Sequence, residues 1–391
     1  MKNTKILGFS SNVFFLSLVS FFNDIGGETI KRAIPLYLVN VLKVPASVIG
    51  LIEGVSDATP QLFQPISGYI SDFAKKRKPI IIIGQLLRSI MILLYWSTTW
   101  PHVLLLRFLD RSGKGITGAT RDALISVSSE KEHVGRSFGL SRALDNAGAV
   151  IGMVLASILI FELGKSTVLM THPLFQRIVL LTVVPLFISL GILTFLVHDV
   201  RATIQRQSIT LSHKLGTKYY LFLFFSFLFA LGSSSDAFLI LKAQMSGIAL
   251  WQIFLLLAGY SLVASLSGYR LSSLSDRIGR KTLLVAGWTV YGVVYFFFAR
   301  STSPMILILL FLTYGLYYGF TEGSAKALVS DIVSEERRGT AYGIYNMVVG
   351  FTMLPASLIA GYLWQTFAPS TALYFGSAMA LVATLGLFFI L

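Results

Sequence analysis

Residues 107–126, RFLDRSGKGITGATRDALIS, carry six ionisable side chains: Arg107, Asp110, Arg111, Lys114, Arg121 and Asp122. Cations at this density can hold an anion or pair with carboxylates. A carboxylate beside them can alternate between ionised and protonated forms as its access to water changes. On a helix advancing about 100° per residue, all six fall within an arc of about 120°. Leu105, Leu109, Ile116 and Ala123 fall on the opposite face. Two earlier stretches offer carboxylate partners. Asp24 and Glu28 share a helical face with Ser17, Ser20, Lys31 and Pro35. Glu53 and Asp57 share one with Pro60, Gln61 and Gln64. The second half is less charged. Glu322 and Lys326 form an i,i+4 pair in the favourable order. With Tyr314, Tyr318 and Asn346 they read as a substrate-facing wall, and as a local ion pair beside packed rings in the plainer reading. Asp236 closes a GSSSD run.

The elements that must position these groups are helices in lipid. The chain has 391 residues, 54% of them hydrophobic and 13% charged, with mean hydropathy +0.74. Soluble domains are about one-quarter charged. Apolar windows predict twelve spanning helices at about 10–40, 46–72, 79–98, 101–128, 136–163, 174–198, 218–244, 248–275, 281–300, 303–331, 339–367 and 370–391. This is an all-α membrane protein, without the short alternating strands of a β-barrel. Lys2 and Lys5 precede an apolar segment that is too long for a signal peptide and lacks a small-residue cleavage site, so the first helix reads as retained. One charge at the bilayer centre costs about 2.5–3.5 kcal/mol on insertion scales. Six cannot face lipid, so the stripe must meet a wet cavity or paired charges. The plainer alternative for every charge here is a static ion-pair network that fixes packing.

Basic loops alternate with neutral ones. Lys75, Lys76, Arg77 and Lys78 follow the second helix, and Arg201, Arg206, Lys214 and Lys218 follow the sixth. Arg277, Arg280 and Lys281 follow the eighth, and Arg337 and Arg338 the tenth. The positive-inside rule puts both termini and the linker in the cytoplasm. The expected organisation is a six-helix bundle at 1–198, a linker at 199–217 and a second bundle at 218–391. The net charge of +14 reflects this topology and not a nucleic-acid partner. There is no cysteine, and all five histidines fall at predicted helix ends or in loops. No metal-ligand cluster, P-loop or nucleophile motif is present, so neither cofactor, metal nor enzyme activity is expected.

A shift of 204 residues superimposes parts of the two halves. Ser71–Asp72 meets Ser275–Asp276, ALIS at 123–126 meets ALVS at 327–330, and Gly115, Gly135 and Gly139 meet Gly319, Gly339 and Gly343. On these residues the chain resembles a major facilitator superfamily (MFS) transporter over its whole length. The family's loop signature is G-x-x-x-D-R-x-G-R-K. SSLSDRIGRK at 272–281 departs from it only at Ser272, while GYISDFAKKR at 68–77 has Phe73 and Lys75 in place of Arg and Gly. The stretches SFFNDIGGETI, GLIEGVSDAT, RFLDRSGKG and YYGFTEGSAKALVSD resemble a widespread bacterial group within the superfamily.

The resemblance implies two pseudo-symmetric six-helix bundles and alternating access, in a multi-pass inner membrane protein acting as a monomer. It implies gating by Gly68, Asp72, Asp276, Arg277, Gly279 and Arg280, to which the stripe adds Arg121 and Asp122. The family's fourth-helix pattern R-x-x-Q-G is matched at Arg111, Lys114 and Gly115, with Lys in place of Gln. By that match Arg111 lies near a proton path, with Asp24, Glu28, Glu53 and Asp57 as the titrating carboxylates. Arg107, Asp110 and Lys114 are then left to hold substrate. The antiporter signature G-x-x-x-G-P keeps Gly148 and Gly152 but has Met153. Two glycines at this spacing also serve ordinary helix packing. Asp145 is placed to pair with Arg142 or a fourth-helix base. The expected activity is proton-coupled secondary transport of a small polar or amphiphilic solute, with export slightly favoured. The alternatives are uptake of an organic anion or metal-chelating metabolite, sodium coupling, and a sensor that does not transport.

Overall fold

The computed structural model describes residues 5–73, 76–164, 167–200 and 215–390, without the side chains of Asp72, Lys131, Tyr269, Arg270, residues 272–277, Glu322, Glu336 and Ile390. A two-stranded hairpin opens the described chain, with β1 (Lys5–Ile6) antiparallel to β2 (Phe9–Ser10). Its helices are α1 (Ser11–Asn40), α2 (Ala46–Phe73), α3 (Lys78–Ser89), α4 (Trp100–Ser128), α5 (Val134–Leu163) and α6 (His172–Phe195). They continue as α7 (Thr217–Gly232), α8 (Ala237–Met245), α9 (Leu250–Ile278), α10 (Arg280–Arg300), α11 (Pro304–Ile332), α12 (Arg338–Thr366) and α13 (Pro369–Ile390).

Among the described residues, ten helical stretches are long and apolar enough to cross a membrane, with α7 and α8 forming one of them. The two other long helices, α2 and α4, are those that carry the charged stripes. The twelve predicted spans therefore all correspond to helices.

Three local features depart from the expected helices. The third predicted helix is α-helical only to Ser89 and continues as a 3-10 helix over Ile90–Trp96. The first predicted helix is preceded by a hairpin whose turn residues Leu7 and Gly8 both have positive φ, 52° and 82°. That is the turn geometry that matches strand twist. Ser10 then caps α1 by accepting from the Val13 amide. The seventh predicted helix, expected unbroken over 218–244, is interrupted at residues 233–236. Serines compete locally for backbone hydrogen bonds. Here the Ser235 hydroxyl accepts from the Ala237 amide, and the Ser235 amide donates to Ser357 Oγ.

The chain forms two compact units, residues 1–43 with 59–206, and residues 44–58 with 207–391. Helix α2 thus contributes its first half to the second unit and its second half to the first. In the first unit Val13, Leu16, Ile81, Leu124, Ile125 and Leu193 form an apolar core joining α1, α3, α4 and α6. In the second, Phe238, Ala360 and Ala372 are closely packed, with Ala46 and Trp364 against them.

The repeat read from the sequence has a packing meaning. A methyl at Gly115 of α4 would lie 2.8 Å from Phe63 Cβ and 2.9 Å from the Pro60 carbonyl oxygen on α2. A methyl at Gly319 of α11 would lie 2.8 Å from Ser267 Cβ and 2.9 Å from the Gly268 nitrogen on α9. The same helix pair in each unit crosses closely at the same repeat position, and only glycine fits there.

Candidate functional site

In the first unit, the charged stripe of α4 turns inward as its periodicity requires. Arg107, Asp110 and Arg111 are 0%, 3% and 4% exposed, whereas Leu105 on the opposite face is 55% exposed. The stripe has two levels. At the deeper one, three guanidinium groups converge on Asp110: Arg88 Nε at 3.7 Å, Arg107 Nη1 at 3.5 Å and Arg111 Nε at 3.4 Å. Burying such charges is favourable only when they are paired closely. Arg88 also donates to the Asn23 carbonyl. Asn23 and Gln85 complete this polar centre together with Ser189, whose hydroxyl donates to Asn23 Oδ1.

The shallower level is half-exposed. Lys114 Nζ donates to Glu28 Oε1 at 3.2 Å, with side-chain exposures of 38% and 19%. Asp24, one turn earlier on α1, is within electrostatic reach of Lys114, Glu28, Arg88 and Asp145. Arg121 meets Asp122 at 3.2 Å and Asp145 of α5 at 3.7 Å. Asp145 therefore meets a base from the fourth predicted helix. Carboxylates of α1 and α5 thus meet cations of α4, whereas Glu53 of α2, expected as a further partner of the stripe, bonds Ser235 in the second unit.

Arg88, Asn23 and Gln85 were not among the residues selected from the sequence. Arg88 gave a signal, since it is a lone cation within the apolar run IIIIGQLLRSIMILL. An ionisable residue inside a span calls for a partner, and Asp110 is that partner. Asn23 and Gln85 are uncharged and gave no comparable signal.

At the ends of the helices, Arg77 Nη1 donates to the Ala123 carbonyl at 3.1 Å, and the Asp199 carboxylate accepts from the Arg77 and Lys78 amides at the start of α3. In the second unit Arg280 Nη1 donates to the Ala327 carbonyl at 2.9 Å and to Ser330 Oγ at 3.2 Å, and pairs with Asp331. Ala123 and Ala327 are repeat-related positions. Gly279 enters α10 with φ of 91°, a left-handed conformation suited to glycine. A methyl at Gly68 would lie 3.6 Å from Ala119 Cβ, an ordinary contact. The side chains of Asp72, Asp276 and Arg277 lie outside the described residues.

The second unit holds Glu53, 1% exposed, whose Oε2 accepts from Ser235 Oγ at 3.1 Å at the break between α7 and α8. Asp57, one turn later, is half-buried. Asp236 accepts from the Tyr314 hydroxyl at 3.0 Å. Tyr314 stacks on Tyr260 and packs against Tyr291, Tyr295, Tyr317 and Tyr318. A cavity of about 350 Å³ lies among α7, α10, α11 and α12. Tyr318 and Lys326 line it, whereas Tyr314 is buried away from it and Asn346 is exposed outside its lining. Glu322 lies outside the described side chains. Among the described residues, no three His, Asp or Glu side chains are grouped to hold a metal ion.

The Major Facilitator Superfamily family model matches residues 16–269 and 222–391. An uncharacterized MFS-type transporter of the archaeon Methanocaldococcus jannaschii is 37% identical over 392 residues, spanning 97% of this chain and 95% of the relative. An uncharacterized protein of Mycobacterium bovis is 22% identical over 350 residues, spanning 85% of this chain and 82% of that protein. Among solved structures, the nucleoside transporter NupG superimposes with a TM-score of 0.76 at 16% identity, covering 96% of this chain and 98% of that one. A bacterial homolog of the human lysosomal transporter Spinster, in an inward-facing and occupied conformation, gives 0.76 at 12% identity, covering 96% and 95%. Those two structures establish the architecture, and the family model together with the archaeal relative establishes membership: this multi-pass membrane protein belongs to the Major Facilitator Superfamily of transporters.

Proposed function

We propose that the protein is a proton-coupled secondary transporter that moves a small polar or amphiphilic solute by alternating access. The observation that carries this reading is the Glu28–Lys114 pair. A carboxylate paired with an ammonium at 3.2 Å, yet 19% exposed, combines a held charge with a path to water. The deeper Asp110 centre lacks that path, being 3% exposed. When access to water changes, protonation of Glu28 releases Lys114, and Asp24 on the same helix can compete for the freed ammonium. Basic loops after alternate helices support cytoplasmic termini in a cell membrane. Gating by Arg121 and Asp122, and by the loop residues at 68–77 and 272–281, belongs to the same reading.

The test is purified protein in liposomes loaded with a pH-sensitive dye. Candidate organic anions and cations are added under an imposed pH gradient, for wild type and Glu28→Gln. The expected result is substrate-dependent proton movement that disappears in the variant, its sign distinguishing export from uptake. Normal coupled flux in Glu28→Gln would move the proton site elsewhere. Coupling to a sodium gradient in place of pH would replace the proton altogether.

A second reading, uptake of an organic anion, is favoured by one observation. Lys326 is the one charged side chain among the described residues that line the cavity of the second unit.

A further inference from the structure

The cavity of the second unit is built like a receptor for one ligand class. Its volume of about 350 Å³ lies at the lower end for small-molecule sites. Five rings face it: Phe229, Trp288, Tyr317, Tyr318 and Tyr345. Phe229 and Trp288 stack on each other at 4.6 Å, and Tyr317 packs against both Phe229 and Tyr318. These contacts hold the rings in place, so the walls are formed before a ligand arrives. Fixed ring edges and faces favour another ring, placed offset or edge-on.

Ser233, Thr321 and three tyrosines bring polar atoms to the lining, and two further polar groups stand out among them, Lys326 and Ser226. Lys326 is the cation; the side chain of Glu322, one turn earlier on α11, lies outside the described residues, and no described carboxylate pairs with Lys326. Ser226 is 2% exposed, and its hydroxyl has no hydrogen-bond partner among the described residues. Buried hydroxyls normally have one. A ligand atom in the cavity would supply it.

We infer that this cavity binds an aromatic carboxylate: its single negative charge on Lys326, its ring among the aromatic walls, and a second polar substituent on Ser226 Oγ. One cation among the described lining residues matches a monoanion better than a phosphate or a dicarboxylate. The volume admits one small ring system and not a peptide. That this ligand is also the cargo rests on the transport reading above.

The probe is 4-hydroxybenzoate, titrated calorimetrically into detergent-purified full-length protein. It is compared with 4-hydroxybenzamide, which lacks the charge, and with 4-hydroxycyclohexanecarboxylate, which lacks the aromatic ring. The benzoate should bind at least ten-fold more tightly than either. Lys326→Gln, at an exposed position, should keep the protein folded and erase the preference for benzoate over benzamide. Ser226→Ala should weaken the benzoate several-fold. Equal binding of the benzamide, equal binding of the cyclohexane acid, an undiminished preference in Lys326→Gln, or no binding of any probe by folded wild type would each overturn the inference. Binding without benzoate-dependent proton movement in liposomes would leave the ligand class standing and overturn its role as cargo.

Discussion

Asn23 and Gln85 face each other across α1 and α3 as a reciprocal amide pair: Gln85 Nε2 donates to Asn23 Oδ1 at 2.7 Å, and Asn23 Nδ2 donates to Gln85 Oε1 at 2.9 Å. Both are buried. Removing one partner leaves the other unsatisfied, at a cost of about 1–3 kcal/mol. Asn23→Leu should lower the thermal unfolding temperature in detergent, and adding Gln85→Leu should recover part of the loss. Additive losses in the double variant would show that the pair is not coupled.

The two levels of the α4 stripe should respond differently to neutralisation. Asp110→Asn leaves three buried guanidinium groups without their shared carboxylate, and breaking a buried network of this kind costs about 3–5 kcal/mol. Little folded protein is expected, as read by size-exclusion chromatography. Glu28→Gln breaks a partly exposed pair worth about 0–1 kcal/mol, so the variant should be recovered folded. Equal yields from the two variants would remove the distinction between a structural and a titrating level.

Glycine substitutions separate packing from signature. A methyl at Gly152 would collide with the Ile25 carbonyl and with Thr29 Oγ1, where α5 packs on α1. Gly152→Leu should abolish folded protein. Gly139 on the same helix has open space around its Cβ position. Gly139→Ala should raise stability by about 0.4–1 kcal/mol through a less flexible unfolded chain, measurable by thermal shift. A tolerated leucine at 152 would contradict the close crossing.

The N-terminal hairpin should depend on pH. The Lys5 ammonium, 2.7 Å from Glu130, hydrogen-bonds its carboxyl and holds it below the usual carboxylate range. A carboxyl with a depressed pKa stabilises the structure above its ordinary pKa, and that contribution is lost as pH falls through the lower, folded value. Amide exchange in β1 and β2, corrected for its intrinsic rate, should therefore quicken as Glu130 protonates. Lys5→Gln should remove the dependence, and an unchanged profile in that variant would exclude Glu130 as its source.

The sequence made helices legible wherever apolar windows were long, and it made the α4 stripe legible because charge inside a span is too costly to be accidental. The partners of Asp110 were less legible. Arg107 and Arg111 lie on its own helix, but Arg88 sits on α3, and only three-dimensional packing brings it alongside. The Asn23–Gln85 pair was silent because neutral amides barely disturb a hydropathy profile. The break at residues 233–236 was hidden for the opposite reason. Its flanks are so apolar that the window ran through GSSSD, although three adjacent serines are a local signal for backbone competition. The Lys326 cavity was half visible. Spacing put Tyr318 and Lys326 on one wall, but the opposing rings Phe229 and Trp288 look like ordinary lipid-facing residues until the helices are assembled.

The arginine contacts at the helix ends bear on how the two halves have drifted apart. Arg280 reaches the Ala327 carbonyl as Arg77 reaches that of Ala123, yet the arginines sit one residue out of register while their acceptors stay in register. What the halves share is the target, not the tool. A long, flexible side chain can absorb a one-residue slip in its loop, whereas a backbone carbonyl is fixed by its helix. Loops in such a protein are therefore free to change length and wording while the helix ends they tie down stay put.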